Sequence, residues 1–351
     1  QNAAMVEETS AAARSLSTEV ATLAASPDGR WLAARCDVEV CLYDTRDWQA
    51  VRRLPIPRPA RSFLRFSPDG RTLAAVSFRP PVMALYDTTT WRERVAVSMD
   101  EAPAWVLQFS PDGQRIATSG SDRLGLWRTD GLQPLASLEI INSWGDPLAF
   151  APDGRSLAVQ GEGNTLQLVD ISTGAEGTAM LAIDRERRML RASSRGPAAF
   201  SADGRHVAVT QPGHDAVRVG DVDGGRERTR IPRAGGALAF LAEGRLLVGN
   251  LDGTVDEWQA IEKAVRRLPH DAAVRAVAFG ADDRGLATAS GTTLRVFDTA
   301  GWTEAARIAL PTAPEGLAIS PDGRWIAAIA EDGLQLIDTT IEPWQTIGPL
   351  P

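Results

Sequence analysis

The sequence predicts an all-β molecule: eight four-stranded antiparallel units set radially as the blades of a β-propeller, preceded by a short N-terminal α-helix. Three observations predict it. A five-residue turn of the form Ser-Pro-Asp-Gly-Arg recurs eight times, some copies eroded. Its spacing stays near 40 residues, the mark of a repeat architecture. Each copy sits in the same series of short apolar runs. Seven blades is the alternative, should the degenerate fifth or sixth unit not form one.

The turn starts at Ser26, Ser67, Ser110, Ala151, Ser201, Leu241, Gly280 and Ser320. Its acidic residues are Asp28, Asp69, Asp112, Asp153, Asp203, Glu243, Asp282 and Asp322, at intervals of 41, 43, 41, 50, 40, 39 and 40. Pro at the second position presets φ, Asp tolerates the third, and Gly accepts a left-handed backbone at the fourth. A turn of this kind links antiparallel strands, so each copy is a hairpin tip. The 50-residue interval locates one inserted loop, which holds Arg185, Arg187, Arg188, Arg191 and Arg195. That basic run reads as a solvated loop able to meet an acidic partner.

Around each turn the apolar pattern repeats. A run ending in an aromatic residue precedes it, as in Phe63-Leu64-Arg65-Phe66. A compact Leu/Ile-Ala run follows, as in Leu73-Ala74-Ala75 and Ile116-Ala117. A third run alternates and closes on a large residue and an acidic one, as in Tyr43-Asp44, Tyr86-Asp87 and Phe297-Asp298. A fourth begins near Trp48, Trp91, Trp302 and Trp344. Alternation over four to seven residues is the strand signature. One meander cannot bury both faces, whereas meanders packed radially can. The first unit opens near residues 20–25 and the last supplies its own fourth strand, so closure without strand exchange is expected.

Residues 1–17 lie outside the repeat, which divides the chain into a helical segment (1–17) and a propeller (18–351). The segment is Ala-rich and lacks Gly or Pro. Val6, Ala13 and Val20, with Thr9, Leu16 and Leu23, follow a seven-residue spacing that allows helix–helix packing through residues 3–23. The chain does not begin with Met, and a processed end or a cut from a longer protein is expected.

A net charge of −8 gives no bulk attraction to nucleic acid or an anionic membrane, and no apolar run approaches a membrane span. Neither is expected as a partner. Cys36 and Cys41 are expected near each other across one hairpin as free, partly buried thiols, which suits a reducing, cytoplasmic location.

The run Phe109-Ser-Pro-Asp-Gly-Gln-Arg-Ile-Ala-Thr-Ser-Gly-Ser-Asp-Arg-Leu-Gly-Leu-Trp127 resembles the WD-repeat (tryptophan–aspartate repeat) family of β-propellers. Leu268-Pro-His270-Asp-Ala-Ala-Val-Arg-Ala-Val-Ala-Phe279 is similar to the segment that opens such a repeat at its His. The closing Trp of the third run stands at Trp127 and Trp258 and is replaced elsewhere. The resemblance therefore implies the fold, with the family's His–Ser–Asp–Trp network incomplete in every blade. Residues 1–20 resemble the methylation helix of methyl-accepting chemotaxis proteins. Two small residues, two arbitrary, two Glu, two arbitrary and two small occur as Ala3-Ala4, Met5-Val6, Glu7-Glu8, Thr9-Ser10 and Ala11-Ala12. That resemblance implies Glu8, with Glu7 beside it, as the methyl acceptor.

No catalytic constellation, metal site or cofactor site is expected. His206 reads as structural and His214 as a loop residue, and Asp221-Val222-Asp223-Gly224 lacks the later ligands of a calcium loop. Propellers bind mostly through the loops that enter the innermost strands, here at 55–61, 99–105, 141–147, 192–197, 230–236, 269–273 and 311–315. Arg61, Trp105, Trp144, Arg233 and His270 are the expected protein-binding residues there, aromatic and Arg side chains being the usual anchors. The expected function is a non-catalytic scaffold or sensor module, with protein partners, in a larger bacterial-type signalling protein. The other two readings are a chemoreceptor-like transducer with a ligand-sensing propeller, and a propeller enzyme with its site in the central channel.

Overall fold

A computed structural model describes residues 23–350, apart from 37–38, 47–49, 56–61, 79, 100–103, 105, 121–122, 141–147, 162–164, 174–178, 192–197, 212–215, 224–226, 233, 242–243, 260–262, 280–284, 315, 321–322, 331–332 and 340–344. The helix expected over residues 1–17 lies outside the described residues.

Four consecutive strands make each blade. Blade 1 holds β1 (Leu23–Ala25), β2 (Trp31–Cys36), β3 (Glu39–Asp44) and β4 (Ala50–Pro55). Blade 2 holds β5 (Ser62–Phe66), β6 (Thr72–Phe78), β7 (Pro81–Asp87) and β8 (Arg92–Ser98). Blade 3 holds β9 (Val106–Phe109), β10 (Arg115–Ser119), β11 (Arg123–Arg128) and β12 (Pro134–Glu139). Blade 4 holds β13 (Leu148–Phe150), β14 (Ser156–Gly161), β15 (Thr165–Thr173) and β16 (Ala179–Arg191). Blade 5 holds β17 (Ala198–Phe200), β18 (His206–Gln211), β19 (Ala216–Asp221) and β20 (Glu227–Pro232). Blade 6 holds β21 (Ala234–Phe240), β22 (Leu246–Asn250), β23 (Thr254–Gln259) and β24 (Lys263–Pro269). Blade 7 holds β25 (Val274–Phe279), β26 (Gly285–Ser290), β27 (Thr293–Asp298) and β28 (Thr303–Ala309). Blade 8 holds β29 (Gly316–Ile319), β30 (Trp325–Ala330), β31 (Gly333–Asp338) and β32 (Gln345–Leu350).

Within every blade the strands pair in chain order, so the fold is an eight-bladed propeller of four-stranded antiparallel blades. The first strands touch in sequence from β1 through β5, β9, β13, β17, β21 and β25 to β29, which makes them the innermost. Burial follows that geometry. β10 is almost wholly buried, and the fourth strand β8 is mostly exposed. Apolar clusters lie between blades. One joins Leu42 of blade 1 to Leu64, Leu73 and Tyr86 of blade 2, and another joins Val76, Met83 and Leu85 of blade 2 to Leu107 and Ile116 of blade 3.

The recurring turn forms as its residue types dictate. Ser26, Ser67, Ser110 and Ser201 donate their hydroxyls to the turn Asp at 2.5–2.6 Å. Each Ser oxygen accepts from the backbone N–H five residues on, at 2.9–3.0 Å. The turn Gly adopts φ between 67° and 71° in seven copies, the left-handed region that glycine enters without cost. The turns also touch across blades. A β-carbon on Gly70 would lie 3.5 Å from Pro27 Cδ of blade 1, and one on Gly113 would lie 3.6 Å from Pro68 of blade 2. The same step joins Gly154 to Pro111 and Gly204 to Pro152. It stops where Ala202 replaces Pro: Gly244 meets nothing within 4 Å.

Two expectations are corrected. The interval of 50 residues is not a loop insertion throughout. Its basic run from Arg185 to Arg191 falls in β16, a 13-residue outer strand whose register against β15 shifts between Gln167 and Val169. Blades diverge at their rim, which leaves room for an outer strand to lengthen. Trp91 and Trp302 stand immediately before the fourth strands β8 and β28, as expected, each in the preceding turn at φ 53°. There Trp91 packs edge-on against Trp31 of the neighbouring blade at 5.2 Å, which offsets the left-handed strain. Trp48 and Trp344 lie outside the described residues. Finally, Cys41 is disulfide-bonded, and no free cysteine remains among the described residues. Disulfides persist in oxidising compartments, which removes the argument for a reducing one. No described helix is long and apolar enough to cross a membrane.

Candidate functional site

Arg61, Trp105, Trp144 and Arg233 of the expected binding face lie outside the described residues, as do Glu7, Glu8 and His214. His270 is described. It follows β24 and sits half-buried where the chain turns into β25. One ring nitrogen, Nε2, lies 2.8 Å from Thr288 Oγ1, and the other, Nδ1, lies 3.1 Å from the Leu268 carbonyl. Its ring meets Phe297 edge-on at 6.0 Å. Burial pulls its pKa below the ordinary histidine value; the Leu268 carbonyl opposes that shift, and the Arg295 guanidinium adds to it. Around it, Arg295 bonds the Pro269 carbonyl and pairs with Glu304 while its guanidinium stacks on Phe297 at 4.8 Å. Ser290 Oγ donates to the Ala272 carbonyl at 2.6 Å and accepts from the Ala272 N–H at 2.9 Å. These bonds fix the loop that enters the innermost strand of blade 7.

Blades 3 and 6 hold complementary fragments of the same arrangement. Trp127 Nε1 donates to Thr118 Oγ1 at 2.9 Å. A β-carbon on Gly125 would lie 2.8 Å from both of those atoms, so glycine is required between them. In blade 6 the register places Val248 where blade 3 has Thr118, and the buried Trp258 Nε1 has no partner. Blade 7 thus has His and Thr, blade 3 has Thr and Trp, and blade 6 has Trp alone. Sequence reading identified the surviving Trp and His residues, but missed Thr118 and Thr288, because a lone Thr in an apolar strand carries no mark of its partner.

Elsewhere several titratable residues are tied into the blades. Asp44 takes the Arg46 guanidinium at 2.7 Å, and hydrogen bonds from Arg46 hold its carboxyl down to about 2. Glu304 is held down to about 2 by hydrogen bonds from Arg307 and Arg295. His206 opens β18, its Nε2 3.5 Å from Asp221, which also takes Arg228 at 2.8 Å. Among the described residues no group of three or more His, Cys, Asp or Glu side chains could hold a metal ion.

Eight four-stranded blades define a β-propeller, and blades 3, 6 and 7 carry fragments of one His–Thr–Trp network. Residues 262–298, the span that contains His270 and Thr288, match the family described as WD domain, G-beta repeat. No curated protein matches the chain in sequence. Several solved structures share the fold. The dihydro-heme d1 dehydrogenase NirN in complex with DHE superposes with a TM-score of 0.70 at 17% identity, covering 95% of this chain and 74% of that one. The C-terminal WD40 domain of Sif2 gives a TM-score of 0.70 at 14% identity, covering 88% of this chain and 92% of that one. Hydrazine synthase of Kuenenia stuttgartiensis gives 0.55 at 15% identity, covering 92% and 96%. At such identities the likeness concerns the fold alone.

Proposed function

We propose that this chain is a non-catalytic interaction propeller, a scaffold or sensor module of a larger signalling protein. It captures protein partners through the loops that enter the innermost strands. The observation that carries this reading is the use made of the polar residues of the repeat. The turn aspartates bond their own turns, and both nitrogens of His270 face protein atoms. Side chains occupied in this way support a rigid frame, and recognition then rests on the loops the frame presents. Trp105 and Trp144 are the anchors. The double variant Trp105→Ala/Trp144→Ala keeps the β circular-dichroism spectrum and loses partner capture; unchanged capture sinks the assignment of that face.

Two of the solved structures with this fold are enzymes by description, one of them bound to DHE. An enzymatic reading needs convergent acid–base, metal or cofactor-holding residues at the channel mouth. Titrating the full chain with a tetrapyrrole discriminates: the interaction reading expects no saturable absorbance change, and a stoichiometric one favours a cofactor-bearing propeller.

The N-terminal segment supports the signalling part of the proposal. Its paired Glu7 and Glu8, flanked by small residues, fit a methyl-accepting helix. Labelled methyl donor and a chemotaxis methyltransferase should mark Glu8 in the full-length protein, and no label there removes the chemoreceptor reading. The disulfide at Cys41 bears on location instead, and fractionation into reducing and oxidising compartments tests the cytoplasmic expectation against it.

A further inference from the structure

A cavity of about 510 Å³ opens between blades 4 and 5. It lies among the tips of the recurring turns, at the end of the propeller opposite the loops that enter the innermost strands. Its existence has a local cause. At the interface of blades 1 and 2 the corresponding space is filled by Trp31, packed edge-on against Trp91. Between blades 3 and 4 it is crossed by Arg115, whose guanidinium donates to the Gly154 carbonyl at 3.0 Å. Blade 4 has the small Ser156 at the position of Trp31 and Arg115, and its hydroxyl turns to Asp170 of its own blade at 3.3 Å. The sequence of blade 5 has Gly225 at the position of Trp91 and Trp302. Both fillers are missing at one interface.

The walls left behind are chemically specific. Asp153, Asp170, Asp203 and Asp223 line the cavity together with Arg155 and Arg205, an excess of two carboxylates. Asp153 and Asp203 each use one oxygen for their own turn, accepting backbone N–H groups at 2.8 and 3.0 Å. Neither arginine has an ion-pair partner among the described residues. The remaining wall is apolar. Ile171 and Val222 are buried where Thr45 and Thr88 of blades 1 and 2 bond the turn carbonyl. The carboxylates do not converge as a metal site, since no cluster of that kind exists among the described residues. A ligand that suits all of these walls carries a cation for the aspartates, a methylene stem for Ile171 and Val222, and a carboxylate for an arginine.

We infer that this cleft binds a basic amino-acid group, a guanidinium or ammonium on a methylene stem together with a carboxylate. The group is either a free amino acid or the C-terminal residue of a peptide. Calorimetric titration of the full chain with L-arginine and with the tripeptide Gly-Gly-Arg separates the two sources, and L-norvaline, which has the stem without the cation, is the control. Saturable binding of L-arginine or of the tripeptide, with none of L-norvaline, is the expected result. Ser156→Arg reproduces the filling seen at Arg115 and should weaken binding at least about tenfold, with an unchanged melting temperature. Should that variant not fold, Asp223→Asn, on an exposed turn, serves in its place with the same expectation. The inference is overturned if neither probe binds saturably, if L-norvaline binds equally well, or if the folded variant binds like the parent.

Discussion

The indole N–H groups of Trp127 and Trp258 stand at the same place in their blades with opposite outcomes: one is bonded to Thr118, the other has no partner. A buried donor without a partner costs the desolvation of that group. Thr118→Val should therefore lower stability by about 1–3 kcal/mol, measured by urea unfolding. Val248→Thr gives Trp258 an acceptor and should raise stability by about 1 kcal/mol. A neutral or opposite result for both would show that the network carries no stability. Acid acts on other residues. The carboxyls of Asp44 and Glu304 are held at about 2 in the folded state, below their ordinary values. Their contribution is complete above the unfolded carboxylate range of about 4, and disappears as pH falls from about 4 to about 2. Asp44→Asn should flatten that part of the stability profile. His270 has a depressed folded pKa as well, so its contribution is lost as pH falls below about 6.5, which adds a shallower decline at higher pH. At this scale the sequence showed which residues depart from the repeat. It could not show which partners they keep, because those partners come from other strands.

The turn is the element that the sequence described best. Pro, Asp and Gly each appear in the role their chemistry implies, and Gly70 at φ 70° is representative. The contact between the Pro of one blade and the Gly of the next was not legible, since it depends on how blades stack. It yields a prediction: Ala202→Pro should stabilise the protein by about 0.4–1 kcal/mol, because the same position of the sister turns is Pro and the space facing Gly244 is open. A loss of stability measured by thermal unfolding would mean that the turn of blade 5 differs from its sisters. The strand expectations held less well at the rim. The arginines of β16 read as a loop because charge dominates their pattern, yet an outer strand needs no apolar face on its solvent side. Trp91 and Trp302 mark the starts of fourth strands as the sequence suggested, but their left-handed backbone was not legible, because it is rare for a bulky residue.

For the whole molecule, repetition made eight blades countable from the chain alone, and the strand pairing agrees blade by blade. Function was far less legible. The fold is shared with a WD40 domain and with propeller enzymes at identities of 14–17%, so architecture does not choose between them. The interaction reading rests on how the described polar residues are engaged, and its proposed anchors, Trp105 and Trp144, lie outside the described residues. Site-specific photo-crosslinking tests it most directly. A benzophenone side chain is placed at position 105, at 144 and, as a control on an outer strand, at Val265, which is 46% exposed. The interaction reading predicts one reproducible protein adduct from position 105 or 144 and none from 265. No adduct from 105 or 144, or an adduct from 265 alone, would contradict it.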